Sequence, residues 1–178
     1  DFNQFSMFYA GAQKNLGPSG VTLVVIRDDM LGRINDGLPT IFDYRTHTEK
    51  KSLFNTPPSF TIYVVKLILE WMQDQGGLKA VEDNNRKKKD AIYNLIDANP
   101  DYFRAPVRKD SRSWMNIVLR LSAEELEQKF ISEAKAEGLI GLKGHRSVGG
   151  IRVSLYNAMT LEGAEKVAEF MENFRTNN

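Results

Sequence analysis

The stretch Tyr9–Gly20, YAGAQKNLGPSG, is preceded by an apolar run over residues 5–10 and followed by another over residues 21–27, VTLVVIR. Two interior-type strands joined by small and turn-forming residues predict a junction where the backbone bends sharply and comes close to a ligand. Lys14 sits in that junction. Partial desolvation or nearby cations lower an amine's pKa, and the neutral amine is the form that attacks a carbonyl, so Lys14 is a candidate Schiff-base nucleophile. The other reading of the residue by itself is an ordinary solvated surface charge. No long crossover helix covers the two strands, and the sequence opens on Asp-Phe-Asn-Gln without Met. A sheet needs partners on its faces and edges, so these are expected on polypeptide outside this sequence. A two-stranded element covered by the helix after Asn55 is the alternative.

Outward from there, residues 28–55 carry Gly32, Gly37, Pro39 and a polar stretch, and read as an excursion loop in which His47 is solvated. From Pro57 to about Gln75, Phe60, Tyr63, Val64, Leu67, Ile68, Trp71 and Met72 follow the helical period, and Ile62, Val65 and Leu69 widen the stripe. A helix apolar on most of its circumference is expected to be buried between domains or subunits. Trp71 and Trp114 are expected in the core. Gly76-Gly77 ends that helix, and a second runs from Leu78 to about Ala98. Its Arg86–Asp90 run, RKKKD, reads as a solvated face rather than an anion-binding patch. Alternation over Tyr102–Val107 and Met115–Leu121 predicts strands. The Ser122–Glu125 capping box predicts a helix through Glu137, stopped by Gly138. Strands at Leu139–Leu142 and Gly150–Tyr156 and an amphipathic helix over Leu161–Arg175 complete an α+β unit.

Composition narrows the function classes. A net charge of +1 over 178 residues gives no basic footprint for nucleic acid. No apolar run approaches the roughly 20 residues that span a bilayer, so no membrane partner is expected. Residues 1–10 have neither a basic leader nor a long apolar region. With no cysteine and only two histidines, disulfide frameworks and multi-histidine metal sites are not expected, in keeping with a cytoplasmic enzyme without metal.

Two further segments carry chemistry. Phe54-Asn55-Thr56-Pro57-Pro58 has the composition of a helix start, and a helix N-terminus is a ready anion site; capping by itself also accounts for these residues. In His145–Asn157, Arg152, Ser154 and Tyr156 alternate with Ile151, Val153 and Leu155, so a strand there has one polar and one apolar face. Gly149-Gly150 lets the chain kink just before it. Arg146 and Arg152 flank the glycines, and two guanidinium groups suit a substrate with two anionic ends, as against two surface or ion-paired arginines.

Three stretches together, AGAQKNLGPSG at 10–20, SLFNTPPSF at 52–60 and LKGHRSVGGIRVSLYNA at 142–158, resemble the phosphoserine aminotransferases, within the class V, fold-type I pyridoxal phosphate enzymes. The likeness covers essentially the whole chain but only the C-terminal half of such an enzyme. It implies an α/β fold: residues 1–77 as the end of a large pyridoxal-phosphate domain with a mostly parallel sheet, and residues 78–178 as a small α+β C-terminal domain with its connecting helix. It implies pyridoxal 5'-phosphate as cofactor, Lys14 as the catalytic amine, and Gln13, Asn55 and Thr56 as cofactor ligands, the last two reaching a neighbouring subunit's cofactor phosphate in a homodimer with shared sites. Arg152 is assigned by it to the amino acid's α-carboxylate, and His145 and Arg146 to the distal phosphate or γ-carboxylate. The reaction implied is reversible amino transfer between glutamate and 3-phosphohydroxypyruvate, placing the protein in serine and pyridoxine biosynthesis. The aspartate for the pyridine nitrogen, the stacking aromatic and most phosphate ligands belong to sequence absent here, so the isolated chain is expected to be inactive. Another class V aminotransferase, which would keep Lys14 without needing the His145–Arg146 pair, and a non-catalytic interaction piece are the alternatives.

Overall fold

The structure, a computed structural model, describes residues 2–178; Asp1, where the first expected domain begins, lies outside the described residues. The chain divides into two compact units, one ending at Asp74 and one spanning Gln75–Asn178.

The first unit begins with a short 3-10 turn, Phe2–Gln4, and two strands, β1 (Met7–Gly11) and β2 (Thr22–Ile26). They pair antiparallel, with Met7 opposite Ile26 and Gly11 opposite Thr22. The expected loop over 28–55 is partly helical: α1 (Asp28–Leu31), a 3-10 turn over Thr40–Phe42 and α2 (Tyr44–Glu49) punctuate it. A local signal explains α2, because the Asp43 carboxylate caps it by accepting from the Arg45 amide at 2.9 Å. His47, in the last turn of α2, is tied to the Ile41 carbonyl at 2.9 Å rather than simply solvated.

Helix α3 (Ser59–Asp74) completes the unit and starts two residues after the expected Pro57. Among the described residues its apolar circumference is only partly covered: Val64, Val65 and Ile68 are half-buried, but Phe60 is 76% exposed and Trp71 39%. Trp71 is therefore not the core residue expected. Ala12 is the one buried side chain among the described residues of this unit. A partly covered apolar helix and a two-stranded sheet bury little apolar surface among the described residues of this unit.

The second unit holds the hydrophobic core. It runs α4 (Gly77–Ala98), β3 (Asn116–Leu119), α5 (Glu124–Ala136), β4 (Ile151–Ser154) and α6 (Leu161–Asn177), with a 3-10 turn over Lys109–Ser111. β3 and β4 pair antiparallel, Val118 opposite Arg152 and Leu119 opposite Ile151. Ile117, Leu119, Ile151 and Val153 point into one core with Phe130 of α5 and Met171 of α6. At its centre Phe130, Phe170 and Phe174 interlock, Phe130 meeting the other two edge-on at 4.9 and 5.0 Å between centroids.

Two expected strands contract to single bridges. Over Tyr102–Val107 only Arg104 pairs, with Arg120, because Pro106 has no N–H to carry the ladder further. Over Leu139–Leu142, Gly141 turns the chain at φ +80°, and pairing resumes only at Lys143 with Ile151. Helix α5 opens at Ala123 rather than at a Ser122 cap, and Gly138, at φ +84°, ends it as expected.

The basic run on α4 is mixed in character. Arg86 pairs with Glu82 on the solvent side and, with Lys89, lies over the Trp114 ring, which makes Trp114 a half-buried surface platform. Lys88 departs from the expected solvated face: it is 0% exposed, and its ammonium donates to the carbonyls of Tyr156 at 2.8 Å and Met159 at 3.0 Å. Beside it the Asn85 amide donates to the Asn157 side chain at 2.9 Å. Together they pin the segment that joins β4 to α6.

Candidate active site

The turn between β1 and β2 is wound around one carbonyl. The Ala12 amide donates to Val21 O at 2.9 Å, extending the ladder by a rung, and Ala12 O accepts from the amides of Lys14 at 2.7 Å and Gly17 at 2.8 Å. Ala12 is buried at the hub, whereas the Gln13 and Lys14 side chains are exposed at the rim. The same loop lies on α3. A Cβ at Gly17 would come within 2.8 Å of Val65 Cγ2, and one at Gly20 within 3.9 Å of Thr61 Oγ1. Gly17 thus permits a close approach that fixes the loop bearing Lys14 against the helix.

At the start of that helix, the first intrahelical bond runs from the Ile62 amide to Pro58 O at 3.1 Å. Asn55 and Thr56 precede that carbonyl by three and two residues, and both are exposed. Capping therefore does not account for them. The approach is bent as well: Lys51 and Ser52 hold φ of 51° and 64°, left-handed conformations that cost a non-glycine residue of order 1 kcal/mol. The exposed Lys14 amine suits an aldehyde, and the exposed Asn55 amide and Thr56 hydroxyl suit an anionic group such as a phosphate. Pyridoxal 5'-phosphate has those two features.

In the second unit, His145 and Arg146 sit on a loop closed by its own backbone. The Gly144 amide donates to Gly150 O at 2.8 Å, and His145 O accepts from Val148 at 2.9 Å and Gly149 at 2.8 Å. A Cβ at Gly144 would overlap the Gly149 carbonyl oxygen, so that closure requires glycine. His145 Nδ1 and Ser147 Oγ are 2.7 Å apart, which orients the ring. Both His145 and Arg146 are exposed, beside a cavity of about 460 Å³ that they line with Arg120 and Glu127.

Arg152 is half-buried on the polar side of β4, as the alternation predicts. Its Nε is buried without a hydrogen-bond partner among the described residues. A buried guanidinium donor left open is energetically unfavourable unless an anion or water completes it. Arg152 lines a different cavity, about 500 Å³ and bordered by Leu139, Tyr156 and Met159. The structure therefore groups His145 with Arg146, and sets Arg152 apart from them.

Sequence reasoning missed the support beneath the loop. Arg120 Nε donates to Glu127 Oε1 at 2.6 Å, the same oxygen accepts from the Leu121 amide at 3.1 Å, and Arg120 Nη1 donates to Val148 O at 3.1 Å. No local pattern announces such a contact, because it joins residues 28 apart. The one cue was an acidic first turn in α5.

Known proteins of one family resemble this chain in sequence and fold. The model of the family described as aminotransferase class-V matches residues 1–167. The phosphoserine aminotransferase of Geobacillus kaustophilus is 53% identical over 175 residues, covering 98% of this chain and 49% of the relative. Phosphoserine aminotransferase 2, chloroplastic, of Arabidopsis thaliana is 51% identical over 98% of this chain and 42% of its own length. Among solved structures, phosphoserine aminotransferase from Bacillus circulans subsp. alkalophilus superposes with a TM-score of 0.94 at 51% identity, over all of this chain and 50% of that one. The PLP-bound phosphoserine aminotransferase of Trichomonas vaginalis gives 0.88 at 34% identity, over 97% of this chain and 49% of that one. The chain spans about half the length of the curated relatives it matches. With a family match that runs through the Lys14 turn, the Asn55–Thr56 segment and the His145–Arg152 stretch, the chain belongs to the class-V aminotransferases.

Proposed function

We propose that the protein is a phosphoserine aminotransferase that uses pyridoxal 5'-phosphate to move an amino group between glutamate and 3-phosphohydroxypyruvate, giving 2-oxoglutarate and phosphoserine. The observation that carries the reading is identity of about half over 98% of the chain with proteins of that name. When bound, the cofactor supplies an aldehyde that condenses with amines and a conjugated ring that accepts the electron pair left at a deprotonated carbon. Lys14 would hold the cofactor through its amine and, once free of it, would carry the proton between the substrate Cα and the cofactor. Gln13 orients the cofactor by hydrogen bonding. Asn55 and Thr56 hold a phosphate group, in a homodimer that of the neighbouring subunit. Arg152, on the polar side of β4, takes the α-carboxylate. His145 and Arg146 take the distal phosphate or γ-carboxylate.

The same reading makes residues 1–77 the end of the cofactor domain and 78–178 the small domain, and leaves the 178-residue chain inactive by itself. A homodimer would supply the cover that α3 lacks. No helix among the described residues is long and apolar enough to cross a membrane. We place the enzyme in the cytoplasm, in serine and pyridoxine biosynthesis.

Arg146→Ala in the complete protein tests the assignment. Removing a charge-assisted contact to phosphate lowers kcat/KM for 3-phosphohydroxypyruvate by about 100-fold, and that for unphosphorylated hydroxypyruvate by much less. Equal losses on the two oxo acids would point to another class V aminotransferase acting on a different acid.

A further inference from the structure

We infer that Arg120 and Glu127 are positioning residues for the substrate's distal anion: a buried carboxylate aims a guanidinium that holds the His145–Arg146 loop in shape. The inference rests on the proposed role of that loop. Its starting point is Glu127, whose side chain is 3% exposed and whose Oε1 accepts from both Arg120 Nε and the Leu121 amide. A buried carboxylate is tolerable only when paired in this way. Because guanidinium is planar and rigid, fixing Nε on Glu127 also fixes the direction in which Nη1 points. Nη1 meets the Val148 carbonyl at 3.1 Å, in the middle of the loop.

The loop rests on the arginine stem as well. Gly150 stands at φ +73°, and a Cβ there would lie 2.6 Å from Arg120 Cδ and 3.0 Å from Leu119 O. The main chain of Arg120 is itself fixed, exchanging hydrogen bonds with Arg104 at 2.8 and 2.9 Å. The chain of support thus runs from α5 through Glu127 and Arg120 to Val148, and from there to His145, whose carbonyl binds the Val148 amide. Arg120 borders the same cavity as Arg146. Its charge is already matched by Glu127, so it acts on the loop rather than as a further phosphate ligand.

The test uses the complete, cofactor-loaded protein and two oxo acids that differ only in the phosphate, 3-phosphohydroxypyruvate and hydroxypyruvate. In Arg120→Gln and in Glu127→Gln, the ratio of kcat/KM between them falls about tenfold, through KM for the phosphorylated acid, since a displaced ligand loop weakens transition-state binding only where the anion is present. Arg120→Lys, which keeps the charge opposite Glu127 but lacks the fork that reaches Val148, shows a similar fall. Hydrogen exchange at the Val148 and Gly149 amides speeds up in all three, while β3 and α5 keep their protection. Should Arg146→Ala lower the ratio and the three variants leave it unchanged, the inference is wrong and the proposed function stands. Should Arg146→Ala itself have no selective effect, the proposed function fails, and unchanged exchange at Val148 and Gly149 would then overturn the brace on its own terms.

Discussion

Lys14→Ala in the complete protein is expected to lower amino transfer between glutamate and 3-phosphohydroxypyruvate by at least about 10⁴-fold, because one side chain supplies both the nucleophile and the proton carrier. The loss is expected with the fold intact. Lys14 is exposed at the rim of its turn, and the turn is held by the Ala12 carbonyl and by Gly17 against Val65, none of which involves the lysine side chain. Lys14→Arg is expected to be just as inactive, since guanidinium stays protonated at any working pH and cannot attack a carbonyl. Borohydride reduction with cofactor present, followed by peptide mapping, should label Lys14 in the wild type and leave residues 9–20 of the alanine variant unlabelled. An alanine variant that keeps more than about a hundredth of wild-type turnover would remove Lys14 from the chemistry.

The second large effect concerns stability. Lys88→Met retains an apolar stem of similar length and deletes the ammonium that binds Tyr156 O and Met159 O. Two carbonyls then lose a charged donor, a hydrogen bond worth about 1.5–3 kcal/mol each, while the relief of an ammonium held out of water offsets part; a net loss of about 2 kcal/mol follows. Denaturant titration against the wild type measures it. The pH dependence has a definite sign. Burial pushes the Lys88 amine below its ordinary value, so in the window beneath about 10.4 the unfolded chain binds more protons than the folded one. Wild-type stability attributable to this group therefore rises with pH through that window and is lost as pH falls through the depressed folded value. Methionine does not titrate, so the gap between the two proteins should widen on going from neutral pH towards 10. A gap that narrows as pH rises would show that the fold holds the ammonium more tightly than burial penalises it, and a methionine variant more stable than the wild type would show that the buried amine is a burden rather than a clamp.

Legibility in the sequence followed the range of the interactions. Period-two alternation placed Arg152 and Ser154 opposite Ile151 and Val153, because a strand packed on one face leaves that record in its own residues. Gly138 was equally readable, since a helix stop is set by the backbone freedom of a single residue. The Lys14 turn announced itself through its small residues. Readings failed where the outcome depended on a distant partner. Nothing in RKKKD distinguishes Lys88 from its neighbours; only the return of the β4–α6 segment, about 70 residues later, makes it interior. Tyr102–Val107 alternates like a strand, yet Pro106 overrides the alternation after one bridge. Trp71 and the rest of α3 have the composition of a buried helix but only partial cover within the described residues. Capping is the alternative reading of Asn55 and Thr56, and the helix starts beyond them.

The His145–Gly150 loop is closed by main-chain bonds and by glycines at 144, 149 and 150, with the Arg120 guanidinium beneath it, while Arg146 and Val148 contribute no side-chain hydrogen bond to that closure among the described residues. Scaffold and display are thereby separable, much as in a ring whose stone can be reset. Libraries randomised at Arg146 and Val148 should retain a folded loop far more often than libraries randomised at the three glycines, so that, if the proposed role of the loop holds, acid preference can be retuned there without rebuilding the scaffold.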